Sequence, residues 1–263
     1  IIGAPRSGTN MLRNILSSLD KIDTWPFDEI NFMWRHGHSF NSSDEFLLDT
    51  LDIKKINFMR NEFNKISRIY GSNFVLEKTC ANTLRIQYVK SIFPEAKFIF
   101  IFRNKYDAIE SIARNWKLGP NSNNFFKKLT WYRYMDLMKF VINTIPNIIL
   151  KTIFKKKFIW GPKLLNFSKI IQNNNFHTIA TYQWYKCYIK AKNSISSIDS
   201  QDRIIINYEE FVQCPQKFTE NILDFLKINY ESNQINNLVQ NIFKDDIGKG
   251  LRVMSSDIIK EID

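Results

Sequence analysis

Hydrophobic and polar positions along this chain fall into two alternating patterns. Short unbroken apolar runs suit strands buried on both faces. Longer stretches with an apolar residue every three or four positions suit amphipathic helices. Ile1 and Ile2 read as the end of a strand, and Met11–Leu19 reads as a helix. Asn73–Lys78 is a predicted strand and Thr83–Phe93 a predicted helix. Ala96–Arg103, "AKFIFIFR", follows Pro94 and predicts a strand covered on both sides. Tyr106–Trp116 returns to helical spacing, Arg203–Asn207 is a further strand, and Pro215–Ile228 is a helix with proline in its first turn. Strands alternating with helices predict an α/β fold with a central parallel sheet flanked by helices.

Between about 121 and 175 the pattern changes. Aromatic and basic residues dominate, no strand stands out, and "NSNN" (Asn121–Asn124) and "QNNN" (Gln172–Asn175) read as hinges. This predicts a helical excursion, a lid over the sheet edge, inside a single domain of residues 1–263. Phe140–Leu150 is apolar but shorter than the about 20 residues a bilayer span needs, and it holds Pro146. With lysines at 155–157 behind it, the stretch 140–160 is a candidate for peripheral membrane contact.

The 263 residues are 44% hydrophobic and 24% charged, which allows a large core. The formal net charge of +11 favours polyanions: nucleic acid, anionic lipid or a multiply phosphorylated small molecule. No zinc-finger spacing or RNP-like motif accompanies that charge, so nucleic acid is not expected. Cys80, Cys187 and Cys214 are far apart and form no C-x-x-C; such a poor disulfide framework predicts a reducing, cytoplasmic setting. Ile1 falls inside a predicted strand, so an anchor upstream of it stays open.

The chemistry begins in "GAPRSGTN", Gly3–Asn10. A loop between a strand end and a helix start presents amides that have no partner in the helix, and the helix dipole adds positive charge there. Anions bind such places. Gly3 permits the turn, Gly8 allows close approach of an anion, Arg6 adds a fixed cation, and the hydroxyls of Ser7 and Thr9 can donate. Gly3 and Gly8 have the spacing of an ATP-binding P-loop, but Thr9 stands where its lysine would be. The next buried strand ends in Arg103 and Asn104, not in a magnesium-binding aspartate. The cradle therefore suits an anion that needs no bound Mg²⁺. An arginine ending so apolar a strand needs an anionic partner or water. "PFDEINFMWRHGHS" supplies candidate bases in Glu29, His36 and Asp28, with His38 nearby, and their spacing matches no standard metal site.

Four segments together resemble the sulfotransferases that use 3′-phosphoadenosine 5′-phosphosulfate (PAPS). "GAPRSGTNMLRNIL" is similar to that family's 5′-phosphosulfate loop, and "FIFIFRNKYDAIESIARNW" to its 3′-phosphate motif. "EKTCANTLR" resembles the segment with the catalytic lysine, and "NYEEFVQCP" a later tyrosine-acidic segment. The pattern is nearer the bacterial "PRSGT" and protein-tyrosine branches than the cytosolic small-molecule branch. The resemblance implies a P-loop-like three-layer fold and a role for each matching residue. Arg6, Ser7, Gly8, Thr9 and Asn10 would hold the phosphosulfate, and Lys78 would stabilise the leaving phosphate. Arg103 and Ser111, with Arg114 assisting, would hold the 3′-phosphate. Tyr208 would contact adenine, and Lys249 and Arg252 in "GKGLR" would close over the 3′-phosphate. Glu29 takes the place of the glutamate base, with His36 and Asp28 as alternatives. "FIWGPK" and "ATYQWYKC", with His177 and Trp184, would shape the acceptor pocket.

The expected reaction is sulfuryl transfer from PAPS to a hydroxyl or amine, leaving 3′-phosphoadenosine 5′-phosphate, with no metal. The acceptor stays open among lipid, saccharide, peptide and small metabolite, as does the oligomeric state. The alternatives are a P-loop kinase-like phosphotransferase, which would need ATP and Mg²⁺, and a non-catalytic nucleotide-binding or membrane-surface protein.

Overall fold

The computed structural model describes residues 1–38, 43–71, 73–118, 160–240, 242 and 246–263. Residues 121–159 of the expected lid, including Asn121–Asn124, the lysines at 155–157 and nearly all of the 140–160 stretch, lie outside the described residues.

Every strand pairing among the described residues is parallel. β1 (Ile22–Asp23) pairs with β2 (Phe74–Val75), and β3 (Phe98–Phe102) pairs with β4 (Arg203–Asn207), with Phe98 opposite Arg203 and Phe102 opposite Asn207. The opening residues join the two pairs. Ile2 bridges to Phe100, and the amine of Ile1 donates to the Glu77 carbonyl at 2.7 Å. Parallel strands point the same way, so their carboxyl ends line one edge. Gly3, Lys78, Arg103 and Tyr208 each lie just beyond such an end. Ligands of open α/β sheets bind in the crevice outside that edge.

β3 alternates between two cores. Ile99 and Ile101 face a cluster with Leu12 and Leu16 of α1 (Thr9–Ser17), Phe211 of α8 (Tyr208–Gln213) and Leu223 of α9 (Pro215–Leu226). Phe98 and Phe100 face Trp25, Trp34, Ile86 and Ile195 on the other side. The strand is thus covered on both faces, as its unbroken apolar run requires. Between these elements run α2 (Asn31–Trp34), α3 (Ile53–Tyr70) and α4 (Ile86–Ile92). A third cluster joins α5 (Lys105–Leu118), α6 (Phe167–Asn173) and α7 (Phe176–Ser196) through Ile112, Trp116, Phe167, Ile171 and Cys187. Residues 164–171 of the expected excursion are therefore partly core. Gln172 and Asn173 close α6, and the Asn175 side chain caps α7 by accepting from the Thr178 amide at 2.9 Å. The chain ends in α10 (Ser232–Val239), α11 (Lys249–Val253) and α12 (Ser256–Ile262).

Two elements differ from their predicted extents by more than two residues at one end. The strand expected over Asn73–Lys78 is only Phe74–Val75, because Glu77 and Lys78 turn into the site. The helix expected over Thr83–Phe93 is a tight turn at Cys80–Leu84 followed by α4. Among the described residues no helix is long and apolar enough to cross a membrane. Cys80, Cys187 and Cys214 are free thiols.

Candidate active site

The loop Gly3–Gly8 runs from the first strand residues into α1, and two residues bend it through the left-handed region. Arg6 has φ +66° and Gly8 φ +88°. A non-glycine residue there is uncommon and marks a constrained turn. Gly8 is required twice over, since a Cβ at this position would lie 2.4 Å from the Tyr208 ring. The Leu12 amide makes the first intrahelical bond, to the Gly8 carbonyl. The amides of Thr9, Asn10 and Met11 precede that bond and are the ones a helix start leaves for another partner. Ser7 is fully buried, and its Oγ has no hydrogen-bond partner among the described residues.

Arg103 lies beside this loop. Its Nη1 donates to the Arg6 carbonyl at 3.4 Å and its Nη2 to the Asp246 carbonyl at 2.8 Å. The guanidinium stacks 4.3 Å above the Tyr208 ring, and its buried Nε has no partner among the described residues. Arg6 donates from Nε to Ser111 Oγ at 2.8 Å, so the loop cation meets the helix just beyond Arg103. Burial, then the charges of Arg114 and Arg103, push Arg6 below the usual arginine range. Three guanidinium groups therefore converge here. Lys249 reaches Asp246 at 3.1 Å, while Asn10 and Arg252 are exposed. The cradle gathers donors and cations beside two carboxylates, Asp107 at 3.9 Å from Arg103 Nη2 and Glu110 at 4.0 Å from Arg114 Nη2, and its unpartnered donors suit an anion with several oxygens.

The second half of the site is built from β1 and β2. Arg13 of α1 is buried and donates to the Trp25 and Phe27 carbonyls at 2.6 and 3.2 Å, which positions the segment carrying Glu29. Lys78 Nζ lies 3.0 Å from Glu29 Oε1, with the Lys78 side chain 2% exposed and that of Glu29 29%. The Cys80 amide also donates to that oxygen at 3.3 Å, and Cys80 Sγ lies 3.8 Å from Thr9 Oγ1. One residue thus links the carboxylate to the loop. Burial raises the Glu29 carboxyl, but the charge and hydrogen bond of Lys78 outweigh it and hold the group below its ordinary value. Burial likewise lowers Lys78, and Glu29 outweighs it, so the ammonium sits above its ordinary value. Burial, then the charge of Glu29, pushes the Cys80 thiol up, so it stays neutral.

The structure thus joins Glu29 to Lys78 and gathers Arg6, Arg103, Ser111 and Tyr208. The charge of Asp28 reaches Lys78 and Arg13. His36 instead stacks on Phe58 of α3 at 3.9 Å. His38 stacks on Phe46 and reaches Tyr88, and burial, then nearby Lys55 and Arg85, push it down to about 4. His177 lies near the start of α7. Trp184 stacks on Tyr188 at 5.1 Å beside a cavity of about 420 Å³ that Arg103 and Glu209 also line. Sequence reasoning missed Arg13, Cys80 and Asp107. It also missed a buried network in which Asp44 takes Arg35 Nη1 at 2.5 Å and the Lys163 amide at 2.8 Å. Arg13 falls within the apolar spacing of Met11, Leu12, Ile15 and Leu16, the one signal that could have flagged it, whereas Asp44 lies in a polar run and gave none.

Residues 1–152, more than half of the chain, match the Sulfotransferase family, and that span holds the loop, Glu29, Lys78, Arg103 and Ser111. The chain belongs to the sulfotransferase family. This sulfotransferase is 25% identical over 130 residues to nodulation protein NoeE of Sinorhizobium fredii (strain NBRC 101917 / NGR234), a match covering 44% of this chain and 31% of that protein. The matched stretch is thus about a third of the curated relative's length. Its fold is that of the sulfotransferase domain from the curacin biosynthetic pathway, with a TM-score of 0.57, 14% identity, and 99% and 94% of the two chains covered. The sulfotransferase domain of the Synechococcus PCC 7002 olefin synthase also has a TM-score of 0.57, at 15% identity with 99% and 91% covered. The expected α/β sulfotransferase fold is the fold observed.

Proposed function

We propose that this sulfotransferase moves the sulfuryl group of PAPS to a hydroxyl or amine of its acceptor. One observation carries the donor: the cradle gathers Arg6, Arg103 and Arg114 around Ser111 while Ser7 Oγ and Arg103 Nε are buried without partners among the described residues. Buried donors cost free energy until something accepts from them, and a doubly phosphorylated nucleotide supplies acceptors at both ends. In this reading Ser7, Thr9 and the amides from Gly8 to Asn10 take the phosphosulfate. Arg103 and Ser111, with Lys249 and Arg252, take the 3′-phosphate, Arg6 spans the two ends, and Tyr208 lies against adenine.

The acceptor oxygen or nitrogen forms a bond to sulfur as the bond from sulfur to the bridging phosphate oxygen breaks. Lys78 stabilises the charge that builds on that oxygen, and Glu29 receives the acceptor's proton. The products are the sulfated acceptor and 3′-phosphoadenosine 5′-phosphate, and the proton passes from Glu29 to solvent. By analogy with phosphoryl transfer the transition state is loose, so positioning and charge stabilisation dominate. The Lys78 ion pair keeps Glu29 ionised, so its oxygens carry no proton of their own, while lowering its basicity. The acceptor class stays open among lipid, saccharide, peptide and small metabolite.

Calorimetry with 3′-phosphoadenosine 5′-phosphate against ATP with Mg²⁺ tests the donor. The reading expects tight binding of the first and at least about tenfold weaker binding of the second. Preference for ATP with Mg²⁺ overturns it in favour of the kinase alternative. Incubation of the protein with ³⁵S-labelled PAPS and a cell lysate then finds the acceptor by the fraction that becomes labelled.

A further inference from the structure

Asp107 is buried at 3% exposure in the first turn of α5, and both of its carboxylate oxygens accept from the C-terminal segment. Oδ2 accepts from the Gly248 amide at 2.8 Å, and Oδ1 from the Gly250 amide at 2.7 Å. A second observation shows how close the two elements lie. A Cβ at Gly250 would sit 2.4 Å from the carbonyl carbon and oxygen of Tyr106 and 2.7 Å from the Asp107 amide, so glycine alone fits. A third ties the contact to the cradle. The same segment brings the Asp246 carbonyl to Arg103 Nη2 at 2.8 Å, and that Nη2 lies 3.9 Å from Asp107 Oδ2. Arg103 is thereby pinned between Asp246 and the Arg6 carbonyl, with Nε left unpartnered among the described residues. The far end of the segment is tied down as well, by Asp263 to Lys105 at 2.5 Å and by Glu261 to Thr178 of α7.

We infer that Asp107 is a positioning residue that clasps residues 246–253 against α5 and so aims Arg103 and places Lys249, making preference for a 3′-phosphorylated nucleotide depend on a side chain that does not touch it. The inference rests on the donor reading proposed for the cradle. Two hydrogen bonds from amides to one carboxylate are charge-assisted and strong. Asparagine at 107 keeps the shape but turns an NH₂ toward one of the two amide donors. That loosens the segment, and with it the carbonyl that orients Arg103. Adenosine 5′-phosphate engages the loop and Tyr208 but has no 3′-phosphate for Arg103 and Lys249 to hold, so its binding depends little on the clasp.

The test compares 3′-phosphoadenosine 5′-phosphate with adenosine 5′-phosphate by calorimetry, on the full chain. Asp107→Asn is expected to weaken the first by about 10- to 100-fold and the second by less than about threefold, so the preference collapses. Gly250→Ala, which pushes the segment off α5 while leaving the carboxylate, is expected to do the same; it decides the matter if Asp107→Asn binds neither nucleotide. Asp107→Glu is expected to restore part of the preference. If wild type prefers the 3′-phosphorylated nucleotide and both variants keep that preference, the clasp is overturned while the donor reading stands. If wild type binds the two alike, the donor reading is overturned, and the clasp with it.

Discussion

The cradle around Arg103 and the Glu29–Lys78 pocket lie at the carboxyl ends of two parallel strand pairs that Ile1 and Ile2 join, yet they balance charge differently. In the cradle Arg6, Arg103 and Arg114 meet, and two buried donors have no partner among the described residues. In the pocket one ammonium meets one carboxylate, and an amide completes the arrangement. The cradle leaves those two donors unmet, and in the proposed reading a bound anion accepts from them. The pocket is finished before any ligand arrives, so its groups hold their protonation states and positions in advance. In the proposed reading, binding energy belongs to the first region and charge placement for the chemical step to the second. Thr9 and Cys80 tie the two together.

The largest expected effect separates them outright. Lys78→Ala is expected to lower kcat by on the order of 10²–10³-fold, as for loss of one stabilising donor, while affinity for 3′-phosphoadenosine 5′-phosphate changes by less than about threefold. Steady-state kinetics with labelled PAPS, beside calorimetry, checks it; a matching loss of binding would merge the two regions. Gly8→Ala strikes the cradle. The positive φ and the 2.4 Å approach to Tyr208 predict a Tm lower by on the order of 5–10 °C and nucleotide binding at least about tenfold weaker. Thermal melts with and without nucleotide read both.

The pocket's ion pair also makes stability depend on pH. Glu29 titrates below its ordinary 4.5 in the folded state, so its contribution is complete above 4.5 and is lost as pH falls through the lower folded value. Lys78 titrates above its ordinary 10.5, so its contribution is complete below 10.5 and is lost as pH rises through the higher folded value. Glu29→Gln is expected to flatten the acid side of the Tm–pH curve; an unchanged acid side would remove the pair as its cause. The smallest effect is the sharpest contrast. Ser7→Ala removes a buried hydroxyl that has no partner among the described residues, so the free protein's Tm is expected to hold or rise while nucleotide affinity falls about 3- to 10-fold. A drop in both would mean that Ser7 serves the fold.

α3 shows where pattern reading falls short. Only Met59 and Ile66 of its 18 residues are buried, too narrow a stripe to stand out among lysines and asparagines. Its caps went unread as well: Asp52 accepts from the Lys55 amide at 2.9 Å, and Gly71 ends it at φ +77°. β3 was readable to within a residue or two, because a strand buried on both faces must be continuously apolar; β4 was read at its full extent from its isoleucine run, although Ile205 is exposed and only Ile206 is buried.

Local sequence was enough for the elements whose residues satisfy one another nearby: the glycine-bent loop, the apolar β3, the proline-started α9. It was enough also for the identity of the cations, because an arginine ending a buried strand has few other uses. Only the folded chain decided which of them meet. Glu29 lies 49 residues from Lys78, Arg6 105 from Ser111, and Asp107 143 from Gly250. No periodicity spans such distances. The parallel sheet brings these groups together, because aligning its strands gathers their carboxyl ends, and the loops that leave them, along a single edge.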